Sequence, residues 1–222
     1  MPAIADPVRI PLGAAHTSPA LALSAHAHSS RPSPLAVRAD IRLLTAAEAR
    51  DEILVEELVH IVNRAYAVGE VGLWLDGTAR IRAAEIAEAI RAGAMLAATL
   101  DGRLVGCAYV RPLDACTADL GMVSAAPERW GSGVGRELVR AAEDLMGARG
   151  VETMQLELLV PKEWVHPAKE RLRAWYTRLG YRVVRMAPFE EVAPQLASQL
   201  AIPCEFLIFH KPLKGGRGMA QS

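Results

Sequence analysis

The pattern of apolar and polar positions is silent for the first part of the chain. Residues 1–38 carry Pro, Ser, Ala and the histidines His16, His26 and His28 with neither strand nor helix periodicity, which reads as a disordered tail. The first ordered signal is a short strand, Ile41 to Leu44, followed by Thr45-Ala-Ala-Glu48, a capping-box pattern that opens helices. The helix it predicts runs to about Tyr66, with Ile53, Leu54, Leu58, Ile61 and Val62 on one apolar face. Val68 to Gly77 breaks that period and reads as a loop with an exposed Trp74. A second helix, near Ala83 to Ala92, is stopped by Gly93, and Ala94 to Leu100 and Arg103 to Val110 flank the hairpin turn Asp101-Gly102. Then come a strand (Thr117 to Ala126), a helix (Glu137 to Met146), a strand (Val151 to Val160), a long connection (Pro161 to Pro167) and a helix that ends at Gly180. Strands from Tyr181 to Met186 and Glu205 to His210 close the series, and a Gly-rich flexible end follows from Lys214. Helices alternating with strands predict an α/β fold. The expected boundaries are a tail over 1–38, one domain over 39–213 and a flexible end over 214–222.

Composition narrows the class. A chain of 222 residues has room for one well-filled domain with a tail. Lys plus Arg number 25 and Asp plus Glu number 25, so no net field argues for nucleic acid or a membrane surface as partner. No apolar run has the length of a transmembrane helix. A homodimer is left open. Cys107, Cys116 and Cys204 are scattered with no Cys-x-x-Cys pair; the first two are expected in strands as small buried hydrophobes. So sparse a set fits a reducing cytoplasm, the expected location. No metal site is expected, the tail histidines being read as solvated.

Chemistry concentrates where Pro127-Glu-Arg-Trp-Gly-Ser-Gly-Val-Gly-Arg136 runs into a helix. Gly131, Gly133 and Gly135 leave backbone N–H groups unobstructed, and the first helical turn leaves its own unpaired, so the segment forms an anion cradle suited to phosphate. Its donors would come from Gly131, Ser132, Gly133, Val134, Gly135 and Arg136. A P-loop is excluded because Arg136 and Glu137, not Lys and Ser or Thr, follow Gly135; the dinucleotide fingerprint is excluded because the third glycine comes one residue too early.

Trp130-Gly-Ser-Gly-Val-Gly135 resembles the Arg/Gln-x-x-Gly-x-Gly/Ala pyrophosphate loop of the GNAT superfamily, the acetyl-CoA-dependent N-acetyltransferases, with Trp130 where Arg or Gln is usual. Ala174-Trp-Tyr-Thr-Arg-Leu-Gly-Tyr181 resembles the second signature of that family, a helix ending in Tyr-x-x-x-Gly-Phe/Tyr before a strand. The resemblance covers roughly Asp40 to Pro212. It implies a single GNAT-type domain with a mixed central sheet flanked by helices, acetyl-CoA as co-substrate without metal, and transfer of acetyl by direct attack to a primary amine of a small molecule, protein or peptide. It further implies that the strand segment Val123-Ser124-Ala125 holds the pantetheine arm and offers an amide to the acetyl oxygen. Tyr176 matches the family's thiolate-protonating Tyr; a phenol with a pKa near 10 stays protonated at neutral pH, above the thiol it must serve. For the base the resemblance offers two carboxylates, Glu157 and Asp119, and His166 is a third candidate, expected to meet substrate. Lys169 stands where many members carry Asn, seven residues before Tyr176, so contacts at that edge must differ from the common pattern. A catalytically silent acetyl-CoA sensor of the same fold is the alternative.

Overall fold

The computed structural model describes residues 38–213; the expected tail, Arg38 apart, and the end 214–222 lie outside the described residues. The chain runs β1 (Asp40–Leu43), α1 (Glu52–Gly69), α2 (Ala83–Arg91), β2 (Met95–Leu100), β3 (Arg103–Pro112), β4 (Thr117–Ala125), α3 (Val134–Ala148), β5 (Thr153–Pro161), α4 (Pro167–Arg178), β6 (Arg182–Pro188), α5 (Phe189–Val192) and β7 (Cys204–Pro212). The strands form one mixed 7-stranded sheet in the order β1-β2-β3-β4-β5-β7-β6. All neighbours are antiparallel except β4 and β5, which α3 joins as a crossover.

Alternation along the strands sorts the core onto two faces. Leu96 and Ala98 of β2, Ala108 and Val110 of β3, and Met154, Leu156 and Leu158 of β5 pack under α3 and α4. Met95, Ala97 and Cys107 pack instead under α1 and α2. A third cluster, around Leu73, Phe189, Phe206 and Ile208, closes the far end of that second face. The Asp101-Gly102 turn is a two-residue hairpin with both residues at positive φ, as the sequence demands.

Four expectations are corrected. The capping box opens a 3₁₀ turn, Ala46–Arg50, and α1 restarts at Glu52 behind its own N-cap, where Asp51 Oδ1 accepts Leu54 N–H at 3.1 Å. This restart shifts the helical phase: Val55, Leu58, Ile61 and Val62 are buried, while Ile53 is 76% exposed. Helix α3 begins at Val134 rather than Glu137, so Gly133 becomes its N-cap. Cys107 is buried in β3, where burial pushes its thiol up to about 12, but Cys116 is exposed in the β3–β4 turn.

Candidate active site

Strands β4 and β5 part company. They pair only at Thr117–Thr153, Ala118–Met154 and Asp119–Gln155, whereas β4 stays beside β3 to Ala125 and β5 stays beside β7 from Thr153 to Pro161. Each strand follows its antiparallel neighbour, and the sheet opens between them past Asp119. Beyond that point the free edge of β4 has no strand beside it, a row of backbone groups ready to pair with an extended ligand. A bulge lies on this stretch. Met122 and Val123 together oppose Ala108, and Met122 sits at φ 48, a left-handed conformation that costs an L-residue on the order of 1–3 kcal/mol. Ser124 Oγ, two residues on, is buried without a hydrogen-bond partner among the described residues.

The glycine loop sits at the mouth of this gap. Gly131 and Gly133 have φ 79 and 102, values only glycine adopts freely, and these turn the chain into α3. The first α3 amide is engaged only at Glu137, whose N–H donates to Gly133 O at 3.0 Å. Ser132 spends both its donors inside the loop, N–H and Oγ each reaching Arg129 O, so it fixes the loop's shape. Among the described residues no acceptor meets the N–H of Gly131, Gly133, Val134, Gly135 or Arg136. A Cβ built on Gly131 or Gly133 would touch nothing within 4 Å, so the space over the loop is open. Unpaired amides at the positive end of a 15-residue helix make a seat for phosphate. Trp130 stands where the family carries Arg or Gln, and it contributes in another way, since its Nε1 donates to Ala125 O at 2.9 Å and ties the loop to the end of β4.

Tyr176 is placed by the end of its helix. Gly180, at φ 97, donates to Thr177 O and Tyr181 N–H donates to Tyr176 O at 3.1 Å, the paired bonds of a Schellman motif. The motif's apolar contact is Tyr176 against Tyr181, ring centroids 5.9 Å apart and edge to face. The Tyr-x-x-x-Gly-Tyr signature is thus a helix stop that pins the Tyr176 ring, which Trp175 and Phe209 also flank. The ring is buried, and its hydroxyl makes no hydrogen bond to a described residue. Burial pushes its pKa up, so the phenol keeps its proton.

The carboxylates come from the other face of the sheet. Asp119 lies between Ala118 and Leu120, and Glu157 between Leu156 and Leu158; those flanking residues pack under α3 and α4, so both acids point to the α1 and α2 side. Burial raises the Asp119 pKa above the ordinary carboxylate value, only partly offset by Arg111, whose Nε is 3.9 Å away. Partial desolvation of the Glu157 carboxyl raises its pKa as well, and the charge of Asp119 adds to it. Glu157 accepts Gln155 Nε2 at 3.3 Å, and Gln155 Oε1 is 3.0 Å from His210 Nε2. The opening between β4 and β5 is where the Tyr176 side and the carboxylate side of the sheet meet.

Sequence periodicity passed over the groups that wall this second face. Tyr66, at the end of α1, lies within electrostatic reach of Asp119, Arg80 and Tyr176, and burial raises its pKa. One turn on, buried Glu70 accepts Trp74 Nε1 at 2.6 Å, Arg80 Nε at 2.7 Å and Lys169 Nζ at 2.7 Å. Trp74, expected to be exposed, is therefore half-buried. Lys169, the departure from the family's Asn, is buried and ties α4 to the α1–α2 loop. His166 is corrected: it is buried as the N-cap of α4, Nδ1 accepting Ala168 N–H while Nε2 sits 3.2 Å from Val71 O. Both ring nitrogens are committed to backbone, which leaves it none for substrate. Among the described residues no three His, Cys, Asp or Glu side chains form a metal-binding group, and no helix is long and apolar enough to cross a membrane.

Comparisons with known proteins agree with this layout. An acetyltransferase (GNAT) family model matches residues 55–181. No curated protein sequence matches the chain significantly. Among solved structures, an aminoglycoside 6'-N-acetyltransferase complexed with coenzyme A superposes with a TM-score of 0.58 at 17% identity, covering 80% of this chain and 98% of that one. A phosphinothricin acetyltransferase of Sinorhizobium meliloti in complex with AcCoA gives 0.55 at 17% identity, covering 83% and 92%. A ribosomal-protein-alanine N-acetyltransferase from Brucella melitensis gives 0.55 at 19% identity, covering 78% and 99%. These likenesses establish the fold, and the family model, which spans both the glycine loop and the Tyr176 helix, establishes more: the chain belongs to the GNAT family of acetyltransferases.

Proposed function

We propose that this protein is an N-acetyltransferase that moves acetyl from acetyl-CoA directly to a primary amine. The observation that carries the reading is the opening of the sheet past Asp119, with α3 amides at its mouth and a protonated Tyr176 hydroxyl beside it that meet no partner among the described residues. Acetyl-CoA supplies an activated thioester and a thiolate leaving group. Gly131, Gly133, Val134, Gly135 and Arg136 receive the pyrophosphate through their N–H groups, while the edge of β4 over Val123, Ser124 and Ala125 holds the pantetheine arm as an added strand. The bulge there turns a backbone amide toward the acetyl oxygen, and such a donor is worth about 2.7–4 kcal/mol when aimed at developing negative charge.

Two protons must move. The acceptor arrives as an ammonium on the α1 and α2 side, where Asp119, with Glu157 next to it, takes the proton that frees the amine lone pair. On the α4 side Tyr176 gives its proton to the departing sulfur. The same apolar walls that raise the Tyr176 pKa also disfavour a bare thiolate, so a hydrogen bond donated there counts for more than it would in water.

The test is the pH profile of acetyl transfer. A base must be ionised to act, and the Asp119 pKa is raised by burial; kcat/KM should fall as pH drops through an inflection above the usual aspartate value of about 3.9. In Asp119→Asn that limb should vanish and the rate should drop by about 10²-fold or more. An unchanged profile in the variant would remove Asp119 from the mechanism, and the absence of transfer to any amine would overturn the reading as a whole.

A further inference from the structure

The acceptor side of the cleft holds an unbalanced charge. Glu70 is the sole carboxylate among the described residues within ion-pair distance of either Arg80 or Lys169, and it serves both: Lys169 Nζ on Oε1, Arg80 Nε on Oε2. The side chains of Glu70 and Lys169 are each only 4% exposed and that of Arg80 18%, so this is a largely desolvated cluster with two cations and one anion. Such a surplus is costly in a protein interior unless an anion arrives to balance it.

Arg80 is the member free to receive one. Of the five guanidinium N–H groups, that on Nε donates to Glu70, and no acceptor meets Nη1 or Nη2 among the described residues, while the side chain keeps 18% of its surface exposed. The group is also immobilised. Its guanidinium carbon lies 4.0 Å from the ring centre of Trp74 and 5.0 Å from that of Tyr66, and Glu70 holds both Arg80 Nε and Trp74 Nε1. Its backbone is fixed too, since Asn63 Oδ1 accepts the N–H of Arg80 at 2.9 Å and of Ile81 at 3.2 Å, and Asn63 Nδ2 returns a bond to Ile81 O. A planar fork with its terminal nitrogens free and every other degree of freedom removed matches a carboxylate. The fork shares the Tyr66 phenol with Asp119, whose charge acts on the same hydroxyl.

Building on the assignment as an N-acetyltransferase, we propose that the acceptor is an amine that also carries a carboxylate, as an amino acid does, with Arg80 holding the carboxylate while Asp119 faces the ammonium. Lys169 and Glu70 act as positioning residues: they fix Arg80 and the α1–α2 loop against α4.

Binding of product-like probes tests this without relying on turnover. N-acetylglycine and N-acetylphenylalanine, and the corresponding uncharged amides, are titrated calorimetrically into the protein with and without coenzyme A. The acids should bind at least about 10-fold more tightly than their amides, the worth of one charge-assisted pair. In Arg80→Gln that preference should disappear, and Arg80→Lys, which keeps the charge but loses the fork, should fall between. Amides that bind as well as acids, no binding of any probe into the millimolar range, or a preference that survives in folded Arg80→Gln would each overturn the proposal. Should Arg80→Gln fail to fold, the comparison of acid and amide on the unaltered protein decides. Acetyl transfer to amines irrespective of a carboxylate would sink this proposal and leave the transferase assignment standing; a clear acid preference with acetyl-CoA never consumed would overturn the transferase assignment, and with it the role of acceptor, and leave Arg80 as a carboxylate seat.

Discussion

Gly133→Val should abolish the stabilisation of this protein by acetyl-CoA while leaving a folded domain. In the unaltered protein the coenzyme contacts only the folded state, so at about 100 times its dissociation constant it should add about 2.7 kcal/mol and raise the melting temperature accordingly. Gly133 sits at φ 102 as the N-cap of α3, a backbone conformation a β-branched residue scarcely reaches. Valine there either forces the loop into another shape, scattering the amides of Val134, Gly135 and Arg136, or stands in the open space those amides face. Both outcomes remove the phosphate seat. Nothing in the core touches the position, so the cost to the fold is limited to local strain, about 1–3 kcal/mol. Gly147→Ala, in the last turn of the same helix with nothing within 4 Å of the added Cβ, is the control and should keep full coenzyme binding. Thermal shifts of both variants with and without acetyl-CoA decide the matter: a normal shift in Gly133→Val would mean that the loop is merely a turn.

Tyr176→Phe should lower kcat by about 10²-fold, the usual contribution of a positioned proton donor, with little change in acetyl-CoA affinity. The ring contacts with Trp175, Tyr181 and Phe209 are kept by phenylalanine, and the hydroxyl it removes bonds to no described residue. Stability should therefore stay where it is, which separates loss of a proton donor from loss of packing. The interaction is needed mainly as thiolate charge develops, so the deficit belongs in kcat rather than in binding. Single-turnover rates that match in the two proteins would reduce Tyr176 to a core residue.

Both landmarks were legible because each is local chemistry. The glycine loop is a run of neighbouring residues whose backbone freedom shows in their identity, and Tyr-x-x-x-Gly-Tyr is a helix stop whose bonds span six consecutive residues, Tyr176 to Tyr181. The hairpin at Asp101-Gly102 is of the same kind. Failures arose where the outcome depends on distant partners. The opening between β4 and β5 follows from which neighbour each strand tracks, β3 on one side and β7 on the other, and no single strand sequence records that. Glu70 and Lys169 are 99 residues apart in the chain, so Lys169 stood out as a departure from the family's Asn while its buried partner did not show. Ile53 misled because the 3₁₀ turn before it reset the phase of α1, a change of one residue that moves a side chain from core to solvent. His166 stood as a third candidate base because its cap role is visible only once Pro167 is seen to begin a helix.

The measurement that bears most directly on the central claim, that this chain transfers acetyl and does not merely bind its donor, is release of coenzyme A from acetyl-CoA, followed by thiol detection, with and without a mixed pool of primary amines. The account predicts release that depends on amine and equals, mole for mole, the N-acetylated product recovered by mass spectrometry, with none of it in Gly133→Val. Acetyl-CoA that binds and stabilises the protein yet is left intact whichever amine of the pool is present would contradict it, and would make the chain a coenzyme sensor built on an acetyltransferase fold.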